Sequence, residues 1–344
     1  DRSELTIAFG CVGYTLGNMA WHDRDNSGSN SGDGANPGID GVIMELLDDS
    51  KNPVDLDPGT AGVQNRDTTS GGGLYLFKGI PAGDYVVRMV SSNFGGGEVL
   101  EDYYGSTGAA DESDPEVNGD NNDNGFDPND GGDYPGAPAS TGICSGVITL
   151  GASAEPASEN PDNDNTLVPD NRSNLTLDFG VWEPMCVGNY AWLDLDADGQ
   201  QDNAEPAIPN VVLNLMVDSA GTGNYIPATD ALGAAVTNQT TSGTGEYKFG
   251  NLPPGNYIVQ LSTPPVGFDP TTSGGDPDNN DDDDNNGYDN GGTIESLPVS
   301  LVNLDEPDTP VDGDSTNSNL TVDFGFIGYN LGNFVWFDAN NTGL

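Results

Sequence analysis

Short apolar runs recur along the chain, separated by clusters of glycine, proline, asparagine and aspartate. Their lengths and their β-branched and aromatic content are typical of strands. Two matching Pro/Gly turns, at 79–85 and 251–257, separate neighbouring runs, because proline fixes φ and glycine permits a positive φ. Helical periodicity is almost absent, so the pattern predicts an all-β protein. The predicted strands include 41–47, 74–77, 85–90, 211–217, 247–249 and 257–261.

Two sequence markers each occur three times, in the same order. A Leu-Thr-x-x-Phe-Gly segment, here called the closing strand, precedes a Gly-Asn-x-x-Trp-x-Asp segment, here called the opening strand. Both markers give the same repeat lengths to within one residue. The closing strands lie at 5–10, 175–180 and 320–325, and the opening strands at 17–23, 188–194 and 332–338.

The markers divide the chain into two whole repeats with partial repeats at both ends. About seven short strands per repeat, with Leu175, Leu177 and Phe179 alternating with Thr176 and Asp178, predict two packed antiparallel sheets that each bury one face. Long Gly/Asp/Asn insertions, roughly 91–142 and 266–292, extend from this core. The predicted units are a closing strand of a preceding or neighbouring repeat at 1–10, β-sandwiches at 11–183 and 184–327, and the next opening strand at 328–344.

The charge balance is extreme, with 56 acidic against 8 basic residues, a net charge of −48 and 34% hydrophobic residues. Such a chain does not collapse unaided, so clustered aspartates suggest that cations help it fold.

The same charge repels nucleic acid and anionic membranes, and no apolar run reaches the length of a membrane span. Residues 1–4 do not resemble a signal peptide, so either a signal was removed or the chain is a window of a longer one.

The segment 194–205 has the spacing of a calcium-binding loop. Carboxylates occupy positions one, three, five, nine and twelve, a glycine takes the sixth position where the chain turns sharply, and Gln200 offers a carbonyl at the seventh. No helix flanks the loop, so it would pin a turn between strands instead of acting as a sensor. The predicted ligands are Asp194, Asp196, Asp198, Gln200, Asp202 and Glu205.

Looser acidic sets occur elsewhere. The first repeat has the same loop start, but a two-residue insertion and a final asparagine predict weaker binding; its candidates are Asp23, Asp25, Ser27, Asp33 and Asn36. A second cluster precedes the late strands of the second repeat, with candidates Asp276, Asp278, Asp281 and Asp283. The alternative for every acidic run is a solvated, self-repelling loop.

Candidate catalytic groups are poorly placed. Paired carboxylates need unequal environments in an apolar cleft, whereas these acids lie in runs of glycine and asparagine. His22 takes the position of Leu193 and Phe337 in the other opening strands, which indicates a strand-surface or core substitution. The recurrence of tryptophan in the opening strands favours a packing role over a role as a platform for carbohydrate binding. Cys11, Cys144 and Cys186 have no metal-motif spacing. We therefore expect no enzyme.

The chain combines the opening-strand marker and its acidic loop with the Gly-x-Tyr-x-Phe and Pro-Gly segments and the closing-strand marker. This combination resembles the B-type repeats of serine-aspartate-repeat surface adhesins. These belong to the collagen-adhesin B-domain class. The resemblance implies a transthyretin-like or immunoglobulin-like β-sandwich, rigidified by several Ca²⁺ ions, that acts as a stalk or spacer on bacterial cells. It also implies that the loop carboxylates at 194–205, and those of Asp23, Asp25 and Asp33, ligate calcium.

Three functions compete. The first is an extracellular, calcium-stabilised structural module of a stalk or filament, which associates head to tail with copies of itself by strand complementation or continues into further repeats. The second is an adhesin that binds a host or matrix protein or glycan through its insertions, favoured if Phe94, Tyr103 and Tyr104 form an exposed patch. The third is an accessory module of a secreted enzyme.

Overall fold

A computed structural model describes residues 13–35, 37–106, 122–126, 138–151, 155–156, 170–202, 204–218, 221–263, 265–272, 275, 277–278, 283–307 and 316–328. Strands and turns dominate these residues. The helical segments among them are two 3₁₀ turns, Ser91–Phe94 and Asp170–Arg172, and one α-helical turn, α1, Pro138–Thr141. The predicted all-β class of tandem antiparallel β-sandwiches is confirmed; parallel pairing of opening and closing strands was not predicted.

The strands fall into two sets that mirror each other. In the first repeat they are β1 Tyr14–His22, β2 Ile43–Asp48, β3 Arg66–Thr68, β4 Leu74–Ile80, β5 Gly83–Met89, β6 Tyr104–Gly105, β7 Gly125–Phe126, β8 Ile143–Ser145, β9 Ile148–Leu150, β10 Ser173–Asn174 and β11 Phe179–Trp182. In the second they are β12 Met185–Leu193, β13 Val212–Val217, β14 Ile226–Pro227, β15 Gln239–Thr240, β16 Glu246–Leu252, β17 Gly255–Thr263, β18 Phe268–Pro270, β19 Gly287–Asp289, β20 Ile294–Ser296, β21 Val299–Leu301, β22 Ser318–Asn319 and β23 Phe324–Gly328.

Each repeat packs two sheets face to face. In the first repeat, β1 pairs antiparallel with β4 and parallel with β10 and β11, and β6 adds to β11. The other sheet has the order β3-β2-β5-β8-β7, with β9 also on β5. In the second repeat, β12 takes the place of β1, and the opposite sheet has the order β14-β13-β17-β20-β19. The opening and closing strands of one repeat are therefore neighbours, paired in parallel.

One apolar core fills each sandwich, drawn from both sheets. Trp21 and Trp192 are fully buried, which confirms that the opening-strand tryptophans are packing residues; Trp336 lies outside the described residues. Representative core side chains are Leu16, Met44, Leu46, Val87 and Phe179 in the first repeat and Val187, Leu213, Val259, Leu301 and Phe324 in the second. The predicted domain boundaries at 10, 183 and 327 stay predictions.

The glycine of the opening-strand marker is required by packing. A Cβ atom on Gly17 would lie 2.3 Å from the backbone oxygen of Tyr75, and one on Gly188 would lie 2.4 Å from that of Tyr247. Real Cβ atoms do not approach a backbone oxygen so closely. The glycine therefore allows the opening strand to meet β4 or β16 at short range, which explains why it recurs.

Recurring tyrosines link the strands of each sandwich. The Tyr75 hydroxyl donates to the Leu177 backbone oxygen at 2.8 Å, and the Tyr247 hydroxyl donates to that of Val322 at 2.6 Å. Burial raises the pKa of both hydroxyls well above the usual value, so they remain donors. The Gly-x-Tyr-x-Phe strand is thereby tied to the closing strand.

The predicted alternation of the closing strand is wrong for its polar residues. Thr176 and Asp178 are fully buried, as are Leu177 and Phe179. The reason is polar pairing: the Asp178 carboxylate accepts hydrogen bonds from Met19 N and Asn18 Nδ2, both at 3.0 Å. Both faces of the closing strand are covered, so it has no solvent-facing side.

The described part of the 91–142 insertion belongs to the first-repeat core instead of extending from it. Phe94 and Leu100 are buried there, and Tyr103 packs against the same cluster. Tyr104 is half-buried and stacks on Trp182, with ring centroids 5.3 Å apart. These tyrosines and Phe94 therefore do not form the exposed aromatic patch that an adhesive insertion would require.

The junction between the repeats is polar and buried. His22 is 7% exposed, lies 3.2 Å from Asn303 Oδ1 through Nε2, and meets Tyr103 edge to face. Burial lowers the pKa of His22, outweighing the opposing effects of Asn303 and Glu183. The position predicted to be a strand-surface or core substitution is thus a junction residue, where the other opening strands have Leu193 and Phe337.

Candidate metal centre

The loop that follows β12 is organised by the carboxylate of Asp194, which is 2% exposed. Its Oδ1 accepts a hydrogen bond from Ala197 N at 2.6 Å. Its Oδ2 accepts from Gly199 N at 2.9 Å and from the Thr271 hydroxyl at 2.5 Å. One side chain therefore closes the turn and ties it to the segment after β18.

Gly199 occupies the sixth position of the predicted loop for two physical reasons. Its φ is +86°, in the left-handed region that favours glycine. A Cβ atom there would also lie 2.6 Å from the backbone oxygen of Thr272. The turn thus depends on glycine both for its conformation and for its close approach to the neighbouring chain segment.

Three carboxylates converge in this loop. Asp194, Asp196 and Asp198 each place one oxygen within 4.8 Å of the others. Asp194 is buried, whereas Asp196 and Asp198 are exposed. Such a set of hard oxygen donors suits a calcium ion. The structure therefore brings together the first three predicted ligands of the loop.

The later loop positions are arranged differently. Glu205 Oε1 accepts a hydrogen bond from Leu195 N at 2.6 Å, and Oε2 accepts from Asp202 N at 3.1 Å. The described carboxylates of Asp202 and Glu205 lie outside the convergent group, and Gln200 donates its backbone N–H to Asp198 Oδ1 at 2.9 Å. In this structure Glu205 braces the loop backbone.

The acidity of Asp194 follows from its hydrogen bonds. Burial raises its pKa, but the Thr271 hydroxyl and the backbone N–H groups of Gly199, Ala197 and Asp198 together lower it further, so the net shift is downward. Asp194 is therefore ionised at neutral pH and available to a cation.

The first repeat builds the same centre with more buried groups. Asp23, Asp25 and Asp33 each place an oxygen within 4.8 Å of the others, and Asp23 and Asp33 are buried. Asp23 Oδ2 accepts from Gly28 N at 2.8 Å and from the Ser106 hydroxyl at 2.6 Å, the counterpart of the Thr271 contact. Ser27 donates its N–H to Asp23 Oδ1 at 3.0 Å. Asn36 lies outside the described residues.

The insertion in the first loop lets Asp33 fold inward. Its Oδ2 accepts from Trp21 Nε1 at 3.0 Å and its Oδ1 from Arg24 N at 2.8 Å. Burial raises the pKa of Asp23 to about 7, against the lowering effect of Ser106 and Gly28, and Asp33 and Asp25 raise it further. Burial likewise raises the pKa of Asp33. This concentration of negative charge favours a cation; the expected weaker affinity of the first loop stays a prediction.

The second acidic cluster separates in space. Asp283 lies beside the loop, since Gln201 N donates to its backbone oxygen at 2.6 Å. Asp278 instead accepts the Ser300 N–H at 3.1 Å and lies near Asn319 Nδ2, at 3.4 Å. Asp276 and Asp281 lie outside the described residues. The candidates at 276–283 therefore do not form one site among the residues described.

Two tetrapeptides within the long insertions join each acidic loop to its closing strand; the sequence indicated acidic clusters there but not these contacts. They are Asn122-Asp123-Asn124-Gly125 and Asp284-Asn285-Asn286-Gly287. Asp123 Oδ1 accepts from Gly180 N at 2.8 Å, and Asn285 Oδ1 accepts from Gly325 N at 3.0 Å. Asn285 N also donates to the Gly199 backbone oxygen at 3.0 Å. The Asn-Gly ending that both tetrapeptides share upstream of a closing strand was the available signal.

Two similar sandwiches, each with an acidic loop locked to its closing strand, define a tandem β-sandwich repeat module. The chain belongs to the SdrD B-like domain family, whose model matches residues 14–125 and 185–326. It is an extracellular, cell-surface structural or adhesin-associated module.

Curated relatives cover nearly the whole chain. Serine-aspartate repeat-containing protein D of Staphylococcus aureus strain Newman is 27% identical over 335 residues, which is 96% of this chain and 18% of that protein. Serine-aspartate repeat-containing protein F of Staphylococcus epidermidis (strain ATCC 12228 / FDA PCI 1200) is 25% identical over 96% of this chain and 15% of its own length. The chain thus spans less than a fifth of either relative.

Among solved structures, the minor pilin GBS52 of Streptococcus agalactiae matches 94% of this chain and all of its own, with a TM-score of 0.27 and 11% identity. Within the part of the chain described, no helix has the length and apolarity to cross a membrane.

Proposed function

We propose that the two repeats form a calcium-stiffened spacer in an extracellular surface protein. The observation that carries the proposal is the repetition of one centre: three convergent carboxylates follow each opening tryptophan, at Asp23, Asp25 and Asp33 and at Asp194, Asp196 and Asp198. Each loop is also bonded to the strand that closes its own sandwich. A cation held there would couple the loop to both strands.

The cation would act mainly by removing repulsion. Carboxylates within 4.8 Å of one another repel strongly when two or three are ionised, and partial burial weakens solvent screening. Ca²⁺ supplies the compensating charge and accepts six to eight oxygen ligands. Binding to the folded state alone stabilises it by about 2.7 kcal/mol at a hundredfold excess over Kd.

The ligand set for the second loop begins with Asp194, Asp196 and Asp198. Gln200, Asp202 and Glu205 belong to the same loop and are proposed as the additional ligands. Asp25, Ser27 and Asn36 complete the proposed first-loop set with Asp23 and Asp33. We propose only that a further acidic set contributes to local cation binding without forming one site: Asp276, Asp278, Asp281 and Asp283.

The proposed partners are further repeats of the same chain or copies of it. In both repeats the closing strand pairs in parallel with an opening strand, through Ala20 with Phe179 and Ala191 with Phe324. Residues 5–10 carry the same marker, so we propose that they complete the sandwich of a preceding repeat or of a neighbouring copy. Sedimentation of the chain with and without residues 1–10, at equal calcium, tests head-to-tail association. A chain that stays monomeric at high concentration excludes it.

Calcium stiffening is tested by thermal unfolding in millimolar calcium and in excess chelator, with magnesium as the ionic control. We expect a large calcium-specific rise in Tm, together with hydrogen-exchange protection at 194–205. Asp196→Asn should reduce the rise, whereas Asp49→Asn, which removes the same charge from an exposed turn, should leave it unchanged. Equal curves with calcium and chelator overturn the proposal.

A further inference from the structure

The few basic residues of this acidic chain are unevenly placed. Three of the 8 lysines and arginines, Lys51, Arg66 and Arg88, line one cavity of about 570 Å³ on the first repeat. It lies beside β3 and β5, where the Ser91–Phe94 turn and α1 meet. The volume is within the range of small-molecule sites.

A buried carboxylate holds the two arginines in place. Glu45 is 4% exposed; its Oε1 accepts from Arg66 Nε at 3.3 Å and Nη2 at 3.2 Å, and its Oε2 accepts from Arg88 Nε at 3.1 Å and from Nη2. These bonds use two of the five N–H donors of each guanidinium. The remaining donors and Lys51 leave the cavity with a net positive charge.

The second repeat shows that the sandwich does not need these cations. Glu45 pairs with Arg88 across β2 and β5, and the matching pair across β13 and β17 is Asn214 with Gln260. Arg66 opposes Glu45 on β3, and Asn238 is its counterpart before β15. The same fold is built with neutral side chains at all three positions, so the fold itself does not require the charged set.

The rest of the lining is rich in hydroxyl groups, from Ser91, Ser92, Ser140 and Thr141. A guanidinium fork matches a carboxylate in two-point geometry, and serine and threonine hydroxyls both donate and accept. A ligand with one carboxylate and several hydroxyls would use both sets of groups.

The overall charge further narrows the ligand. With a net charge of −48 the chain repels polyanions. Because physiological salt screens charges that are more than roughly 8 Å apart, a small anion held inside the cavity escapes most of this repulsion. We propose that this cavity is a binding site for a sugar acid, a saccharide unit with a single carboxylate. The guanidinium groups bind the carboxylate, and the hydroxyls bind the ring substituents.

The test uses the whole chain at constant calcium, with glucuronic acid and N-acetylneuraminic acid as probes in saturation-transfer NMR. Glucose serves as the neutral control, and a heparin oligosaccharide and oligoglutamate as polyanion controls. We expect binding of at least one sugar acid and at least tenfold weaker binding of glucose and both polyanions. Equal glucose binding, tighter polyanion binding, or no sugar-acid binding overturns the proposal.

The matched variant gives the first repeat the second-repeat side chains, Glu45→Asn, Arg66→Asn and Arg88→Gln, which avoids leaving a buried carboxylate without its arginines. It should lose sugar-acid binding at least tenfold, while Lys248→Gln in the second repeat should not change it. Ser140→Ala with Thr141→Ala retains the cations and should weaken binding several-fold. If both cavity variants retain the affinity for the sugar acid, the cavity is not its binding site. An unchanged Tm is the control that each variant is folded.

Discussion

Arg24 and Asn303 exchange hydrogen bonds across the junction between the repeats. Arg24 Nε donates to the Asn303 backbone oxygen at 2.7 Å, and Asn303 N donates to that of Arg24 at 2.8 Å. The fully buried Asn303 side chain also bonds both ways to the Glu183 backbone, accepting from N at 3.0 Å and donating to O at 2.9 Å. The residue after Asp23 is thus anchored to the second repeat, so first-loop order and repeat orientation are physically linked.

Asn303→Ala should loosen this junction. It removes two side-chain hydrogen bonds to Glu183 and leaves buried polar groups unsatisfied, at a cost of about 1–3 kcal/mol. Residual dipolar couplings should show wider variation in the orientation between repeats, with each sandwich intact. Asn290→Ala, on an exposed turn, is the control. Unchanged couplings in Asn303→Ala would show that this side chain does not set the orientation.

Gly199→Ala should destabilise the second acidic loop by more than the cost of placing alanine at a positive φ. The new Cβ meets the Thr272 oxygen at 2.6 Å in addition to the strained φ of +86°. Gly221→Ala is the matched control, because Gly221 has a φ of +61° and open space around its Cβ position. Unfolding should show a loss of about 1 kcal/mol for the control and of about 2–4 kcal/mol for Gly199→Ala. Equal losses would remove the close approach as a cause.

Tyr247→Phe should weaken the attachment of the closing strand. The change deletes the bond to the Val322 oxygen, which still accepts the Asn189 N–H at 3.0 Å, so the cost should be about 0.5–1.5 kcal/mol. Tyr75→Phe should cost at least as much in the first repeat, and Tyr225→Phe, at a partly exposed ring, should cost less. Denaturant unfolding measures the three. A Tyr247→Phe variant as stable as the parent would contradict the strand link.

Glu306 should make stability depend on pH. Burial raises its pKa from 4.5 to about 8, with further raising by Asp278 and Asp305 and opposite effects from Val302 N–H and Asn319. The folded state therefore retains a proton that the unfolded state releases, so the contribution of Glu306 to stability is fully present below about pH 4.5 and is lost as the pH rises to about 8.

Glu306→Gln removes this titration while keeping an acceptor for the Val302 N–H. In chelator, its stability should exceed that of the parent at pH 8, by on the order of 2–4 kcal/mol, and should converge with it at pH 4.5. Glu246→Gln, at an exposed position, should leave the profile unchanged. Parallel pH profiles for Glu306→Gln and the parent would show that Glu306 is ionised in the folded protein.

The candidate centre was only partly readable from sequence. The spacing of Asp194, Asp196 and Asp198 identified carboxylates that do converge, because ligands two residues apart in a tight turn stay close. It could not show that Glu205 bonds to backbone N–H groups of its own loop or that Asp278 separates from Asp283. Those outcomes depend on which distant backbone groups the loop meets.

Local chemistry in the sequence determined the strands, the Pro/Gly turns, the two repeats, the buried tryptophans and the acidic loops. Tertiary structure alone decided that opening and closing strands pair in parallel, that Asp178 is buried, that Arg66 and Arg88 share Glu45, and that Asn303 joins the repeats. The physical reason is range. A period or a turn signal reports neighbours along the chain, whereas the burial of a polar side chain depends on partners brought close by folding.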